Sequence, residues 1–542
     1  MSKKHSRYAG PSGGAGAAVS ESRTPLRDNL ESIALAILMV LVVRQLVVEA
    51  FKIPTGSMAP TLLGVHKEVR CPNCGWTFRV GHDKVGTASE VQCPNCRYRW
   101  PGASAFYPGQ YGGEDIHFRQ PAWLWHQGRT AVSQETVGGM EAANRVNRWG
   151  SRIFVNKFIY KLRRPHRWEV VVFRYPYVQA RCLDCGWEGE LDADGPMVCP
   201  VDESRNLQLT RKNYIKRLVG LPGETLLLRN GDVYVSPEGK EGFGIARKPS
   251  AIQHRLWLPV FDSSYVPERL IRPRWQYVRQ AGRWEEDRGT GALICDAAGG
   301  EKPLLVRFAR PVRDVYAYNG NQSEVRRRAG MGDYHLMGDL RLRLDFSLPD
   351  RSTDPGAGLV LRLQEDAKEF VLFLPTGGGG EALLRDNGRV VARTRVGPVR
   401  SRKQRSVGLA NYDDRVEARL DGEVVLSHEY TGEPDPDRSR QEVAFGARGV
   451  RVKFGRIRID RDIYYIPRRG QAGGPARYEL TGDSYMMLGD NSPASSDSRA
   501  WPDPRVPAKN LMGEAFGIFW PIHDINLLSI GSEPAREGNG QG

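Results

Sequence analysis

The chain has 542 residues and carries 78 Lys and Arg against 63 Asp and Glu, a formal charge of +15. That length exceeds a single ordinary core, so the chain must form several domains or one domain with large insertions. The basic residues are scattered, with no basic and aromatic stripe of the kind that tracks a nucleic-acid backbone, so no nucleic-acid partner is expected.

Residues 1–29 are rich in Gly, Ala and Ser and hold no periodic apolar pattern, which predicts a flexible tail. Next comes LESIALAILMVLVVRQLVVEAF. As helix, residues 30–48 would span about 28 Å against a hydrocarbon layer of about 30 Å, so a single transmembrane anchor is expected over 30–50. Lys3, Lys4, Arg7, Arg23 and Arg27 precede the run, and Arg44 near its far end can reach the headgroups. Positive charge stays on the cytoplasmic side, which puts the chain after residue 50 outside. A cleavable signal peptide competes with the anchor, because the uncharged stretch 33–43 is followed by the small-residue pattern Val48-Glu49-Ala50.

Residues 51–62 read FKIPTGSMAPTL. Gly56 permits a tight turn in which Ser57 can present its hydroxyl and its own N–H, and Thr55 adds a second hydroxyl. Residues 71–96 then pair Cys71 and Cys74 with Cys93 and Cys96, two C-P-x-C knuckles 18 residues apart. Each knuckle can offer two thiolates to one tetrahedral ion, so a structural zinc ribbon is expected over 67–103; two disulfides are the alternative in an oxidising compartment. A linker follows over 104–150.

WEVVVFRY at 168–175 is β-branched and aromatic, a strand within a core segment over 151–176. A second cysteine unit at 177–210 carries Cys182, Cys185 and Cys199, with Asp202 where a fourth thiolate would stand. Carboxylate can ligate zinc, so this is either a Cys3Asp site or a ribbon that has lost its metal. YIKRLVGLPGE at 214–224 reads as a strand carrying Lys216 and closed by the turn Pro222-Gly223, inside a core segment over 211–240. Residues 241–460 form the largest insertion. From about 310 to 460 it alternates as strands, LRLRLDFSL at 340–348 and GLVLRLQ at 358–364 among them, with Asp421-Gly422 as a hairpin turn. This pattern is similar to a jelly-roll β-sandwich of the concanavalin-like or laminin-G-like type. Residues 251–310 have no assignment, and Cys295 stands alone. MMLGDNSPASSDSR at 486–499 is a polar loop, FGIFWPI at 516–522 reads as a last strand of the core segment 461–532, and 533–542 is a tail.

Taken together and in order, GSM-x-P-T-L, VVVF, Y-I-K-R-x-V-G-x-P-G and G-D-N…S-x-D-S-R resemble the sequence boxes of the type I signal peptidases. The resemblance implies a mainly β fold with an all-β catalytic core, behind an N-terminal anchor and interrupted by the ribbons and the sandwich. It implies Ser57 as nucleophile and Lys216 as general base. Thr55 and Ser57 would hold the oxyanion, and Ser495, Asp497 and Arg499 would organise the lysine. The expected activity is removal of N-terminal signal peptides from exported preproteins by cutting after small residues. It would occur in the cell membrane, with the N-terminus cytoplasmic, the catalytic domain on the outer, periplasmic side, and membrane lipid and the translocon close by. No cofactor is needed for this chemistry.

The chemistry of the pair agrees with that assignment. A free lysine of pKa about 10.4 is neutral in only about one molecule in 2,500 at pH 7. Lowering it by about 3 units means destabilising the ammonium by about 4 kcal/mol, which burial against Ile215, Leu218 and Val219 could supply. One rival is a catalytically inactive surface protein whose sandwich binds glycan or protein, and another is a zinc-ribbon protein that binds nucleic acid. The insertions are expected to project from the rim of the core.

Overall fold

The computed structural model describes residues 25–46, 48–81, 90–101, 148–278, 283–320, 334–349, 354–399, 403–432, 440–467 and 477–528. Most of the expected tail, nearly all of the 104–150 linker and the stretch 533–542 lie outside the described residues. Contacts divide the chain into residues 1–49 and 50–542.

Among the described residues the first unit holds one helix, Pro25–Leu46. Its apolar side chains at Leu35 and Met39 are 65% and 68% exposed. Among the described residues no helix is long and apolar enough to cross a membrane. The expected anchor forms a helix over much of its length. Its uncharged stretch, 33–43, lies between Glu31 and Arg44.

The second unit is built almost wholly from strands. Its central sheet runs Arg152–Asn156, Leu511–Trp520, Val170–Arg174, Asn213–Gly220, Ser484–Leu488, Val506–Pro507. Val170–Arg174, sequence VVVFR, is buried on both faces except at its last residue, as a central strand must be. Val170 and Val172 pack with Met58, Leu62 and Ile153 on one side. Val171 and Phe173 pack with Leu218, Met487 and Trp501 on the other. Asn213–Gly220 pairs antiparallel with both neighbours, setting Lys216 opposite Val171 and Arg217 opposite Leu488. Successive residues of a strand face opposite ways, so this register sends Lys216 and Arg217 to different faces.

The first cysteine unit is a pair of hairpins, His66–Arg70 with Thr77–Gly81 and Glu90–Gln92 with Arg99–Pro101. Each knuckle needs a residue in the left-handed region after its second cysteine: Gly75 takes φ +73° and Arg97, at the matching position, takes +63°. The second unit is a three-stranded sheet, Leu207–Thr210, Tyr177–Cys182, Glu188–Asp192.

The large insertion is a sandwich of two antiparallel sheets over one core. One sheet contains Arg451–Arg461, Leu340–Ser347 and Arg405–Tyr412; the other contains Gln441–Arg448, Gly358–Glu365 and Lys368–Pro375. Leu340–Ser347 alternates buried and half-buried along its whole length, the signature of a strand with one face inward. The sandwich begins earlier than the expected 310. Leu258–Asp262, Trp275–Val278, Trp284–Asp287, Ala292–Asp296 and Leu304–Phe308 all join its sheets. Their length of four or five residues, and a strand such as Trp284–Asp287 in which only the tryptophan is buried, gave little alternation to read.

A buried ion cluster fastens this insertion to the core. Lys248, just past the strand Gly244–Ile245, pairs with Asp413 and lies 2.9 Å from Asp462, where the chain leaves the sandwich. Asp232 and Asp339 lie beside them, and all five residues are buried. Burial alone would lower the lysine's pKa, but the surrounding aspartates raise it well above its ordinary value. Removing the cation leaves unpaired carboxylates in the interior. Lys248→Met is expected to destabilise the protein by about 3–5 kcal/mol, read as a lower urea midpoint at unchanged slope.

Candidate active site

Thr55 is extended, at φ −114° and ψ 157°, and Gly56–Met58 then makes a single 3-10 turn. Ala59 N donates to Gly56 O at 3.1 Å, and Leu62 N to Met58 O at 2.9 Å. The fully buried Met58 roots the turn in the core, while Ser57 stays 9% exposed. Asn491 fixes the turn's carbonyls: its backbone N–H donates to Ser57 O at 3.0 Å and its Nδ2 to Gly56 O at 2.9 Å. The loop comes in so closely that a Cβ on Gly489 would lie 2.5 Å from Ser57 O and 2.2 Å from Ser495 Oγ.

Lys216 reaches the turn from its strand. Its Nζ lies 2.9 Å from Ser57 Oγ and 3.1 Å from Ile215 O, and 5.2 Å from the centre of the Tyr214 ring. Burial lowers its pKa to about 8, opposed by Asp497 and Asp490 and assisted by Arg499. Neither carboxylate is given to the lysine. Asp497 is held by Arg499 at 2.6 and 2.8 Å, and Asp490 by Arg217 at 2.6 and 2.7 Å. These are bidentate pairs, fully buried, so each aspartate has its charge answered by its own guanidinium.

The remaining predicted residues take different places. Thr55 is exposed on the wall of the same cleft, and its hydroxyl makes no capping bond to the turn. Ser495 is buried against Gly489 and hydrogen bonds with Asp497, whose pKa is lowered by Arg499 and these bonds despite its burial. Arg499 also donates to Ile466 O at 2.8 Å and to Ser492 O at 3.0 Å, tying the loop together. Sequence reasoning passed over Arg217, Asp490, Asn491 and Thr61. Thr61 Oγ1 donates to Asp490 at 2.5 Å and accepts from Arg217 at 3.0 Å, joining the segment that bears Ser57 to the strand that bears Lys216. All four stand inside or beside the quoted boxes, and a demand that each buried charge have a partner would have singled out Arg217 and Asp490. Nothing in the sequence pointed to Tyr318 and Asn319, which belong to the insertion and also reach the turn. Asn319 and Asn491 exchange two amide hydrogen bonds, at 2.7 and 2.8 Å.

The cleft at Ser57 has a volume of about 540 Å³ and is lined by Ile53, Thr55, Tyr214, Lys216, Tyr318 and Ala494 among others. A dry amine within hydrogen-bond reach of a serine in such a cleft can take up the hydroxyl proton when neutral. A second cavity, of about 360 Å³, lies between the first cysteine unit and the sandwich and contains neither residue.

The cysteine sets converge as well. Cys71 and Cys96 Sγ atoms are 3.5 Å apart and those of Cys74 and Cys93 3.7 Å, all four within 4.8 Å. A tetrahedron with Zn–S bonds of about 2.3 Å has edges of about 3.8 Å. The spacing of the four sulfurs is that of a tetrahedral thiolate site. In the second set, Cys185 and Cys199 are 3.5 Å apart and Cys182 Sγ is 3.5 Å from Asp202.

The family described as "Signal peptidase, peptidase S26" matches residues 130–254 and 414–520, which include Lys216, Asp490 and Asp497 but not Ser57. A probable signal peptidase I-2 of Synechocystis sp. is 33% identical over 88 residues, 16% of this chain. The chain spans 38% of that relative's length. Among solved structures, the carbohydrate-binding module CBM66 of Bacillus subtilis aligns with 35% of this chain and 94% of its own, at 12% identity and a TM-score of 0.21. The laminarinase of Rhodothermus marinus aligns with 38% of this chain and 98% of its own, at 9% identity and a TM-score of 0.27. Scores this low carry no argument about this chain. The similarity to signal peptidases is supported at the level of the family.

Only the neutral amine of Lys216 can accept a proton, so kcat/KM for peptide cleavage should rise with pH and level off above about 8. A pH profile of initial rates checks this, with a slope near tenfold per unit well below the midpoint.

Proposed function

We propose that the chain is a membrane-tethered serine endopeptidase of the signal peptidase I type, which removes N-terminal signal peptides from exported preproteins. The observation that carries the reading is the 2.9 Å approach of a buried, pKa-lowered Lys216 amine to Ser57 Oγ. Neutral Lys216 takes the hydroxyl proton as Oγ attacks the carbonyl of the scissile bond. The oxyanion that forms is held by the Ser57 N–H and the Thr55 hydroxyl, donors aimed where charge develops. The protonated lysine then gives its proton to the departing amine, and a water molecule repeats the sequence to free the acyl group. Asp497, Arg499 and Ser495 act from a distance, fixing the loop that buries the lysine.

The apolar run at 30–50 would tether the enzyme to the cell membrane, with residues 1–29 cytoplasmic and the catalytic unit on the outer side, near the translocon. A nucleophile only seven residues past Ala50 would meet its substrate at the membrane surface. The first cysteine set would hold a structural zinc through Cys71, Cys74, Cys93 and Cys96, and the second through Cys182, Cys185, Cys199 and Asp202, with no part in the reaction.

Cleavage of a purified preprotein in detergent tests the reading. Ser57→Ala and Lys216→Ala should each lose activity by at least about a thousandfold while circular dichroism stays that of the wild type. Retained cleavage in either would remove the dyad. Zinc content by elemental analysis should fall by one ion per chain in Cys93→Ser and by a further one in Cys199→Ser.

A further inference from the structure

The insertion does not only project from the rim. Residues 312–320 leave the sandwich and run to the cleft, fixed at three points. Arg461 donates to Val315 O at 2.9 Å from the sandwich side. Ala317 packs on the first cysteine unit, whose strand Thr77–Gly81 runs alongside. Asn319 exchanges its two amide bonds with Asn491, and both residues are buried. Between these anchors the Tyr318 ring is laid against Ala59 and Leu63 and stacks on Tyr316 at 5.7 Å. It covers Gly56 so closely that a Cβ there would lie 2.2 Å from the ring.

The cysteine unit braces this arrangement. Each knuckle has an asparagine between its cysteines, and each asparagine grips a sandwich loop. Asn73 accepts from Arg269 N at 3.0 Å and donates to Arg269 O at 3.1 Å. Asn95 accepts from Asp262 N at 3.0 Å and donates to Tyr265 O at 2.9 Å. Trp76 stacks on Tyr265 at 5.7 Å. The insertion is thereby docked on the unit that directly follows the nucleophile turn, and Tyr318 is delivered to the same side of the core as Ser57.

We infer that this inserted segment is a working wall of the catalytic cleft: Tyr318 is a specificity-determining residue that limits side-chain size beside Ser57, and Asn319 is a positioning residue for the nucleophile turn. The inference rests on the endopeptidase reading and deepens it. A rigid aromatic ring packed from behind cannot yield to a bulky substrate side chain without moving three anchored elements. Asn319 acts through Asn491, the residue that holds the carbonyls of Gly56 and Ser57, so it governs where Oγ stands rather than how tightly peptide binds.

Peptides carrying Ala, Leu or Phe in turn at the residues flanking the cut separate the outcomes, with full-length wild type, Tyr318→Ala, Tyr318→Phe, Asn319→Ala and Asn319→Asp in detergent. Tyr318→Ala should raise kcat/KM for Leu or Phe at one position at least tenfold relative to the Ala peptide, and Tyr318→Phe, which keeps the ring, should keep the wild type's order of preference among the three peptides. Asn319→Ala should lower kcat at least tenfold with KM within twofold. Asn319→Asp, which still accepts from Asn491, should recover part of that loss. Proportional changes for all peptides in Tyr318→Ala, or a rise in KM alone in Asn319→Ala, would overturn the inference while wild-type cleavage left the endopeptidase reading standing. If wild type cuts none of the peptides, that reading fails and the wall with it.

Discussion

A lysine ammonium deprived of water and of a carboxylate partner is unstable relative to its neutral form, and the cleft is organised around that instability. Two aspartates lie close enough to Lys216 to raise its pKa. Each is taken by an arginine in a buried bidentate pair, Asp490 by Arg217 and Asp497 by Arg499. Their charges are largely cancelled locally, so desolvation decides and the pKa falls to about 8. The same two pairs are mechanical. Arg217 and Asp490 are tied through Thr61 to the segment that bears Ser57, and Arg499 holds the Ser492 carbonyl in the loop that bears Asn491.

This architecture also explains how so long an insertion is tolerated. The strand bearing Lys216 and the loop bearing Asp490 and Asp497 must be neighbours, yet the sandwich separates them in sequence. Lys248 at the start of the insertion and Asp462 at its end lie 2.9 Å apart in one buried cluster, so the chain leaves and returns at a single place. Closing a loop costs free energy that grows only with the logarithm of its length, so the size of the sandwich matters less than the fixing of its two ends. The cysteine unit supplies the other restraint, through Asn73 and Asn95.

The parts of the molecule that were legible in the sequence are those with a local signature. The knuckle spacing of Cys71, Cys74, Cys93 and Cys96, the β-branched run at Val170–Arg174 and the alternation of Leu340–Ser347 each carry their structure in a few adjacent residues. Ser57 and Lys216 stood out through the order of several motifs rather than by pattern alone. What was not legible depends on contacts distant in sequence. Tyr318 and Asn319 lie in a stretch with no motif, and their place at Gly56 and Asn491 exists only because the sandwich and the cysteine unit dock together. Arg217 reads as an ordinary strand arginine until the register sets it against Asp490. The short strands between 258 and 308 are made by pairing with long partners such as Arg451–Arg461, not by their own propensity.

The central claim is that the Lys216 amine itself is the base for Ser57, and its own basicity is the quantity to change. Site-specific incorporation at position 216 of the lysine analogue with sulfur in place of the γ-methylene preserves length and shape but makes the amine less basic. The rising limb of the pH–rate profile for preprotein cleavage is expected to move to lower pH, in step with the weaker base. A cleaving enzyme whose profile stays where the wild type has it would contradict the account, because the titrating group would then not be Lys216.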